Sequence, residues 1–130
     1  MYLKKYYIVA KEQMEKYLNL EIEDNDLFPK DAPSGTSFYE LEPEKGIPCT
    51  VTAKHIIRLL EKYIKGEIDE NRVKDYVESL IALDLFEFDE SDDALHDIIV
   101  NTVYTLDEIK DVNGEIPLED AKGLLKGLQI

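Results

Sequence analysis

Apolar residues recur at helical spacing along the second half of the chain, beginning near Thr52. The first stripe consists of Ala53, Ile56, Ile57, Leu60 and Ile64. A stripe with a period of 3.6 residues indicates a helix with one face on a core. Thr50 or Thr52 can accept hydrogen bonds from the free amides at the helix start, and Gly66 can end the helix. The pattern therefore predicts a helix from about Thr52 to Gly66.

Three more helices are predicted by the same signals. Asp69 is suited to cap the second helix, Ser91 or Asp92 the third, and Pro117 to occupy the first position of the last. Their apolar stripes are Val73, Tyr76, Val77, Leu80 and Ile81, then Leu95, Ile98, Ile99, Val103 and Leu106, and finally Leu118, Ala121, Leu125 and Leu128. Residues 84–90 interrupt the helical pattern between the second and third helices.

The first half of the chain is less regular. Residues 1–22 are apolar and rich in tyrosine. The run at 6–9 favours a strand, but Met14, Tyr17 and Leu18 follow helical spacing. A helix over most of 2–20 is the preferred interpretation.

Residues 23–50 hold four of the five prolines and predict an irregular arm, either docked or mobile. Phe38, Tyr39 and Leu41 are candidates to pin this arm to the core. We therefore expect a single all-α domain over 1–130. Residues 51–130 should form an irregular bundle of four or five helices, with an extended or strand-like segment at the N-terminus as an alternative there.

Charge narrows the choice of partners. The net charge is −14, which argues against direct binding of nucleic acid or of anionic membranes. From Asp75 to Ile109 the sequence has eleven acidic residues and no Lys or Arg. Because like charges repel, this basic-free segment is not a device for stability. It predicts either a surface for a basic protein or a solvated face.

The densest part of the basic-free segment alternates carboxylates with aromatic residues, as an interface with an apolar anchor and a charged rim would. The candidate partner-binding residues are Asp84, Phe86, Glu87, Phe88, Asp89, Glu90, Asp92, Asp93, Asp97 and Tyr104. The competing interpretation is that the aromatic residues belong to the core.

The run Asp111–Ile116 resembles the centre of an EF-hand calcium loop. Ile109 would stand at the first ligand position and cannot bind a cation. Asp120 at the last position is shorter than the usual glutamate. A turn is therefore the preferred interpretation, and no metal site is predicted.

The residues give no positive reason to expect an enzyme. Cys49 could act as a nucleophile with His55 or His96 as base, but no basic cluster is aimed at it. His96 shares a helix face with Asp92 and Asp93, which favours a surface ion pair over a metal site. There is no glycine-rich phosphate loop, so we expect no catalytic residue and no cofactor. The single cysteine and the lack of a long apolar run predict a cytoplasmic protein.

Three short runs carry a resemblance to a known family. They are Lys65-Gly66-Glu67-Ile68-Asp69, the acidic break Glu87–Asp93, and Asn113-Gly114-Glu115-Ile116 before a short last helix. With these runs, residues 52–128 resemble immunity proteins of bacterial toxin systems, of the contact-dependent or colicin type. The resemblance implies a cytosolic inhibitor that shields the active site of one cognate basic toxin, such as a nuclease.

Two alternatives remain open at this point. One is a small regulatory or adaptor domain that binds a partner through residues 1–22, and the other is a degenerate calcium-binding module. The sequence leaves the oligomeric state open.

Overall fold

The computed structural model of this protein describes residues 7–27, 41–113 and 115–129. Its elements in chain order are β1 (Tyr7–Val9), α1 (Lys11–Leu18), α2 (Asp24–Leu27), β2 (Leu41–Pro43), β3 (Cys49–Val51), α3 (Ala53–Ile64), α4 (Glu70–Ala82), β4 (Phe86–Phe88), α5 (Asp93–Asn113) and α6 (Leu118–Leu128). A 3-10 turn, Glu44–Gly46, lies between β2 and β3. The mainly helical fold predicted from the stripes is confirmed. None of the helices in the described ranges is long and apolar enough to cross a membrane.

The predicted starts of α4 and α5 are confirmed by side-chain hydrogen bonds to backbone amides. Pro117 was expected at the first position of the last helix, but it lies just before Leu118, where α6 begins. Asp69 Oδ1 accepts from the Arg72 N–H at 2.9 Å, at the start of α4. Asp92 Oδ1 accepts from the Leu95 N–H at 2.9 Å, at the start of α5. Because the first amides of a helix have no partner within it, these carboxylates fix where each helix begins.

One hydrophobic core joins α3–α6 to the N-terminal elements. The apolar stripes supply most of it, and Ile56, Tyr76 and Ile99 are fully buried. Leu118 was expected to face inward, and this is wrong, since it is 49% exposed. It is the first residue of α6, where the helix has only begun to turn towards the core. The single-domain organisation over 1–130 stays a prediction.

The preferred prediction of a helix over most of 2–20 is wrong for part of the N-terminal segment. Tyr7–Val9 is strand β1, and only Lys11–Leu18 is helical. Tyr7 and Val9 are buried, whereas Ile8 between them is 62% exposed, the alternation of a strand. β1 pairs in parallel with β2, so a distant stretch of chain decides its structure. Residues 1–6 lie outside the described ranges.

The expectation of an irregular arm at 23–50 is also wrong for much of its described part. Helix α2 and strand β2 lie within it, and β3 begins at its end. β3 pairs in parallel with β4, with Cys49 opposite Phe86 and Val51 opposite Phe88. Leu41 is buried as predicted. The other two expected pins, Phe38 and Tyr39, lie outside the described ranges.

An aromatic cluster fastens α1 to α4 and β4. The Tyr17 ring stacks on Tyr76 with centroids 5.4 Å apart, and on Phe86 at 5.9 Å. The Tyr76 hydroxyl donates to the Leu18 carbonyl at 2.7 Å. The Arg72 guanidinium lies 5.6 Å from the centre of the Tyr17 ring, a cation–π distance. This packing positions β4, and with it the carboxylates that flank the strand.

Candidate protein-binding surface

The predicted acidic residues lie close together in the chain around β4 and the start of α5. We call these seven residues the acidic surface: Asp84, Glu87, Asp89, Glu90, Asp92, Asp93 and Asp97. Six of them are exposed and Asp89 is partly exposed. These residues are therefore accessible to solvent and to a binding partner.

The aromatic side chains of the short strand β4 lie on one face of the strand, and its carboxylate lies on the other. Successive strand residues point to opposite faces. Phe86 is accordingly buried at 9% exposure, Glu87 is exposed, and Phe88 is half-buried against the core. Phe86 stacks on Tyr17, so its predicted role as a partner contact is wrong for the side chain. Phe88 keeps part of its surface accessible.

Two carboxylates of the acidic surface also have a local structural role. Asp89 Oδ1 accepts from the Ser91 N–H at 3.0 Å, which shapes the turn after β4. The hydrogen bonds from Ser91 hold the pKa of Asp89 below its usual range, so this group stays ionised. Asp92 caps α5. The positions of Asp89 and Asp92 therefore follow from the fold, and a test of binding should leave them intact.

The outward face of α5 continues the acidic surface. The exposed residues along it are Asp93, Asp97, Asn101, Tyr104 and Glu108. Tyr104 is 50% exposed, as a partner contact requires. At 1.5 Å per residue it lies about 16 Å along the helix from Asp93. An exposed tyrosine near carboxylates has the composition of a binding hot spot with a charged rim.

Few basic groups lie near the carboxylates of the acidic surface in the part of the chain that the structure describes. Throughout the described ranges, no Lys or Arg nitrogen lies within 4.0 Å of them. Their one contact of the ion-pair type in that part of the chain is with His96, whose Nδ1 is 3.5 Å from Asp97 Oδ1. The expected pairing of His96 with Asp92 and Asp93 is therefore replaced by a contact with its chain neighbour.

A basic stripe, which the sequence reasoning missed, runs along the outward face of α3 and just beyond its end. It consists of Lys54, Arg58, Lys62 and Lys65, with Ile57, Glu61 and Glu67 lining the same open groove. The four-residue spacing of its first three members is the signal that could have revealed it. The described part of the chain therefore carries a basic stripe in addition to the acidic surface.

The surroundings of Cys49 and His55 indicate structural roles for both side chains rather than catalytic ones. Burial raises the pKa of the Cys49 thiol, and the nearby Glu15 carboxylate raises it further. A buried, protonated thiol is a poor nucleophile. The Nδ1 atom of His55 accepts from the Thr52 N–H at 3.0 Å, so this nitrogen is occupied at the start of α3.

The calcium-loop alternative conflicts with the course of α5. The helix extends to Asn113, so the backbone at the first, third and fifth loop positions is helical. An EF-hand needs those positions in a loop that folds around the ion. Among the residues that the structure describes, no three His, Cys, Asp or Glu side chains are grouped to hold a metal ion.

Comparison of the chain with models of known protein families, with curated proteins and with solved structures finds no match.

Proposed function

We propose that this protein is a non-enzymatic inhibitor of the immunity type, which acts in the cytoplasm and neutralises one cognate basic bacterial toxin. The observation that carries the proposal is the acidic surface, seven accessible carboxylates without a Lys or Arg neighbour in the described ranges. The resemblance of residues 52–128 to immunity proteins supports the class of partner.

The mechanism is occupation of a basic cleft by carboxylates. A toxin that acts on nucleic acid must present Lys and Arg to phosphates. Carboxylates such as Glu87 and Glu90 can take the place of those phosphates and keep the substrate out. Complementary charge also accelerates the encounter and selects the partner. Tyr104 then supplies an anchor whose burial slows dissociation.

The adaptor alternative has less support, because the main apolar side chains of α1 pack inside the protein. Met14, Tyr17 and Leu18 have no exposed surface. They pack in the same core as α3–α6. A partner would have to displace this packing to reach them, whereas the acidic surface is accessible in the folded chain.

Charge reversal tests the proposal. The test variant carries Asp84→Lys, Glu87→Lys and Glu90→Lys, three exposed positions that spare Asp89 and Asp92. The matched control carries Glu21→Lys, Glu42→Lys and Glu67→Lys, also exposed, with the same change in net charge. The toxin is obtained by co-expression with the protein encoded next to this chain, and association is followed by surface plasmon resonance.

We expect the test variant to associate roughly 10- to 1,000-fold more slowly at low salt. The control should stay near the wild-type rate. Raising the salt to about 0.5 M should shrink the difference, because screening weakens interactions between exposed charges. Equal rates for the test variant and the wild type would remove the acidic surface from the mechanism.

A further inference from the structure

Strand β4 is hydrogen-bonded along one edge. The Cys49 N–H donates to the Leu85 carbonyl at 2.8 Å, and the Asp89 N–H donates to the Val51 carbonyl at 2.9 Å. In a parallel ladder, alternate residues of a strand direct their backbone groups to the same neighbour. Since Leu85 and Asp89 face β3, the N–H and C=O groups of Phe86 and Phe88 point to the opposite edge.

That opposite edge pairs with no other strand in the described part of the chain, where β3 and β4 form a two-stranded sheet. An unpaired amide is costly to bury. Rows of unpaired backbone groups at a sheet edge are instead templates for another strand. Phe88, which is half-buried, and Phe86, which is 9% exposed, direct their N–H and C=O groups to that edge.

The outer edge of β3 is a poorer template. Pro48, just before the strand, has no N–H to donate. The Thr52 N–H, just after it, already donates to His55 Nδ1. Thr50 alone is left to direct its backbone groups outward, so the edge of β4 is the better site for a third strand.

Charge determines which strand can be added. Asp84, Glu87 and Glu90 are exposed on β4 and on both of its flanks. Like charges opposite one another in a sheet are unfavourable, and opposite charges are favourable. A second copy of this acidic chain is therefore repelled, and an extended segment rich in Lys and Arg is attracted.

We propose that the edge of β4 binds an extended basic segment of the partner as a third strand, in the order β3, β4, partner. Backbone hydrogen bonds to Phe86 and Phe88 give affinity, and cationic side chains beside Glu87 give selectivity. Apolar side chains of the added strand lie beside Phe88, which is half-buried. This inference rests on the proposed function, since the partner is the same basic protein.

The experiment uses nuclear magnetic resonance of the full chain with a capped peptide of alternating lysine and valine as the probe. The matched control peptide has the same sequence with every backbone nitrogen methylated, which keeps the lysine charges and removes the backbone donors. We expect the first peptide to slow amide hydrogen exchange at Phe86 and Phe88 by about tenfold or more. The methylated peptide should leave both rates unchanged.

Two variants of Phe88 distinguish the contribution of its backbone N–H to peptide binding from that of its side chain. Phe88→Pro removes an outward N–H, and Phe88→Ala removes the same side chain but keeps the N–H. We expect the alanine variant to bind the peptide and the proline variant to lose binding. Slow exchange of the Glu87 and Asp89 amides in both variants confirms that the ladder to β3 survives.

Three results would overturn the proposal. They are slow exchange of the Phe86 and Phe88 amides without peptide, equal effects of the two peptides, and equal binding by the proline and alanine variants. These measurements need no toxin, so their failure is distinguishable from failure of the proposed function. The latter is shown by an unchanged toxin association rate in the charge-reversed variant.

Discussion

His55 closes the start of α3 in a way that depends on its protonation state. The Thr52 N–H donates to Nδ1 of His55 at 3.0 Å, and the Thr52 hydroxyl lies 3.2 Å from the same nitrogen. An imidazole nitrogen that accepts a hydrogen bond carries no proton, so the neutral ring has its proton on Nε2. Burial lowers the pKa of His55, and the Arg58 guanidinium lowers it further.

The lowered pKa predicts a loss of stability in mild acid. Above the unfolded-state pKa of about 6.5, both states hold a neutral ring and the cap contributes fully. Below it the unfolded chain takes up a proton before the folded chain does, so stability falls as the pH falls. We expect a decline on the order of 1 kcal/mol from this site between about pH 7 and about pH 5. Urea denaturation at the two pH values measures it.

His55→Gln is the matched variant, because glutamine at this position of a capping box accepts the same hydrogen bond and does not titrate. Its decline in stability should be smaller than that of the wild type. His96→Gln serves as the control, since His96 contacts only Asp97 among ionic partners in the described ranges. The same decline in wild type and His55→Gln would contradict the role of the ring.

At the scale of the element, the attachment of α1 depends on one buried hydroxyl. Tyr76 is fully buried, and burial raises its pKa. In Tyr76→Phe the Leu18 carbonyl loses its donor and stays desolvated, which should lower the free energy of unfolding by about 1–3 kcal/mol. Tyr104→Phe removes an exposed hydroxyl and should change it by less than about 0.5 kcal/mol. Similar losses in the two variants, measured by urea denaturation, would show that this hydrogen bond does not hold α1.

The helices could be predicted from the sequence because their signals are local. The stripe of α4 and its Asp69 cap lie within a few turns of chain. The strands could not be predicted in the same way. β3 and β4 have three residues each, and Thr50 meets Glu87 across 37 positions of sequence. β1 shows the same limit: the run at 6–9 favours a strand, but its partner β2 lies far along the chain, so the pairing cannot be predicted locally.

The exposure of the acidic surface was easier to predict from the sequence than the burial of the aromatic residues beside it. The carboxylates were found because acidic residues without basic neighbours in sequence stay exposed wherever the backbone runs. Phe86 and Phe88 have the same residue type and similar neighbours, and only the position of β4 beside Tyr17 decides which is buried. Tyr104 lies on the exposed face of α5, which can be traced from the periodic stripe, and its contact with a partner stays a prediction.

At the scale of the whole molecule, the net charge of −14 is distributed unevenly. The basic stripe on α3 and the acidic surface are separate regions of opposite sign. Such a distribution produces a field that orients a charged partner before contact. For the basic partner that we propose, this field would favour an approach towards β4 and α5.

The same concentration of charge should weaken the fold. Neighbouring carboxylates repel one another at low salt. The variant Asp84→Lys, Glu87→Lys, Glu90→Lys relieves this repulsion. We therefore expect its free energy of unfolding to rise by about 0.5–2 kcal/mol at low salt, the range of surface-charge optimisation.

The control variant Glu21→Lys, Glu42→Lys, Glu67→Lys changes the net charge equally, but it removes the Glu67 carboxylate from the groove of the basic stripe. A lysine at that position turns attraction into repulsion, so the control should gain less stability than the test variant in denaturant titrations at low salt. The difference should disappear near 1 M salt, where the screening length is about 3 Å. A test variant that binds the toxin more slowly and folds more stably would assign the carboxylates to recognition. A test variant that loses stability would make them structural, and the proposed function would lose its main support.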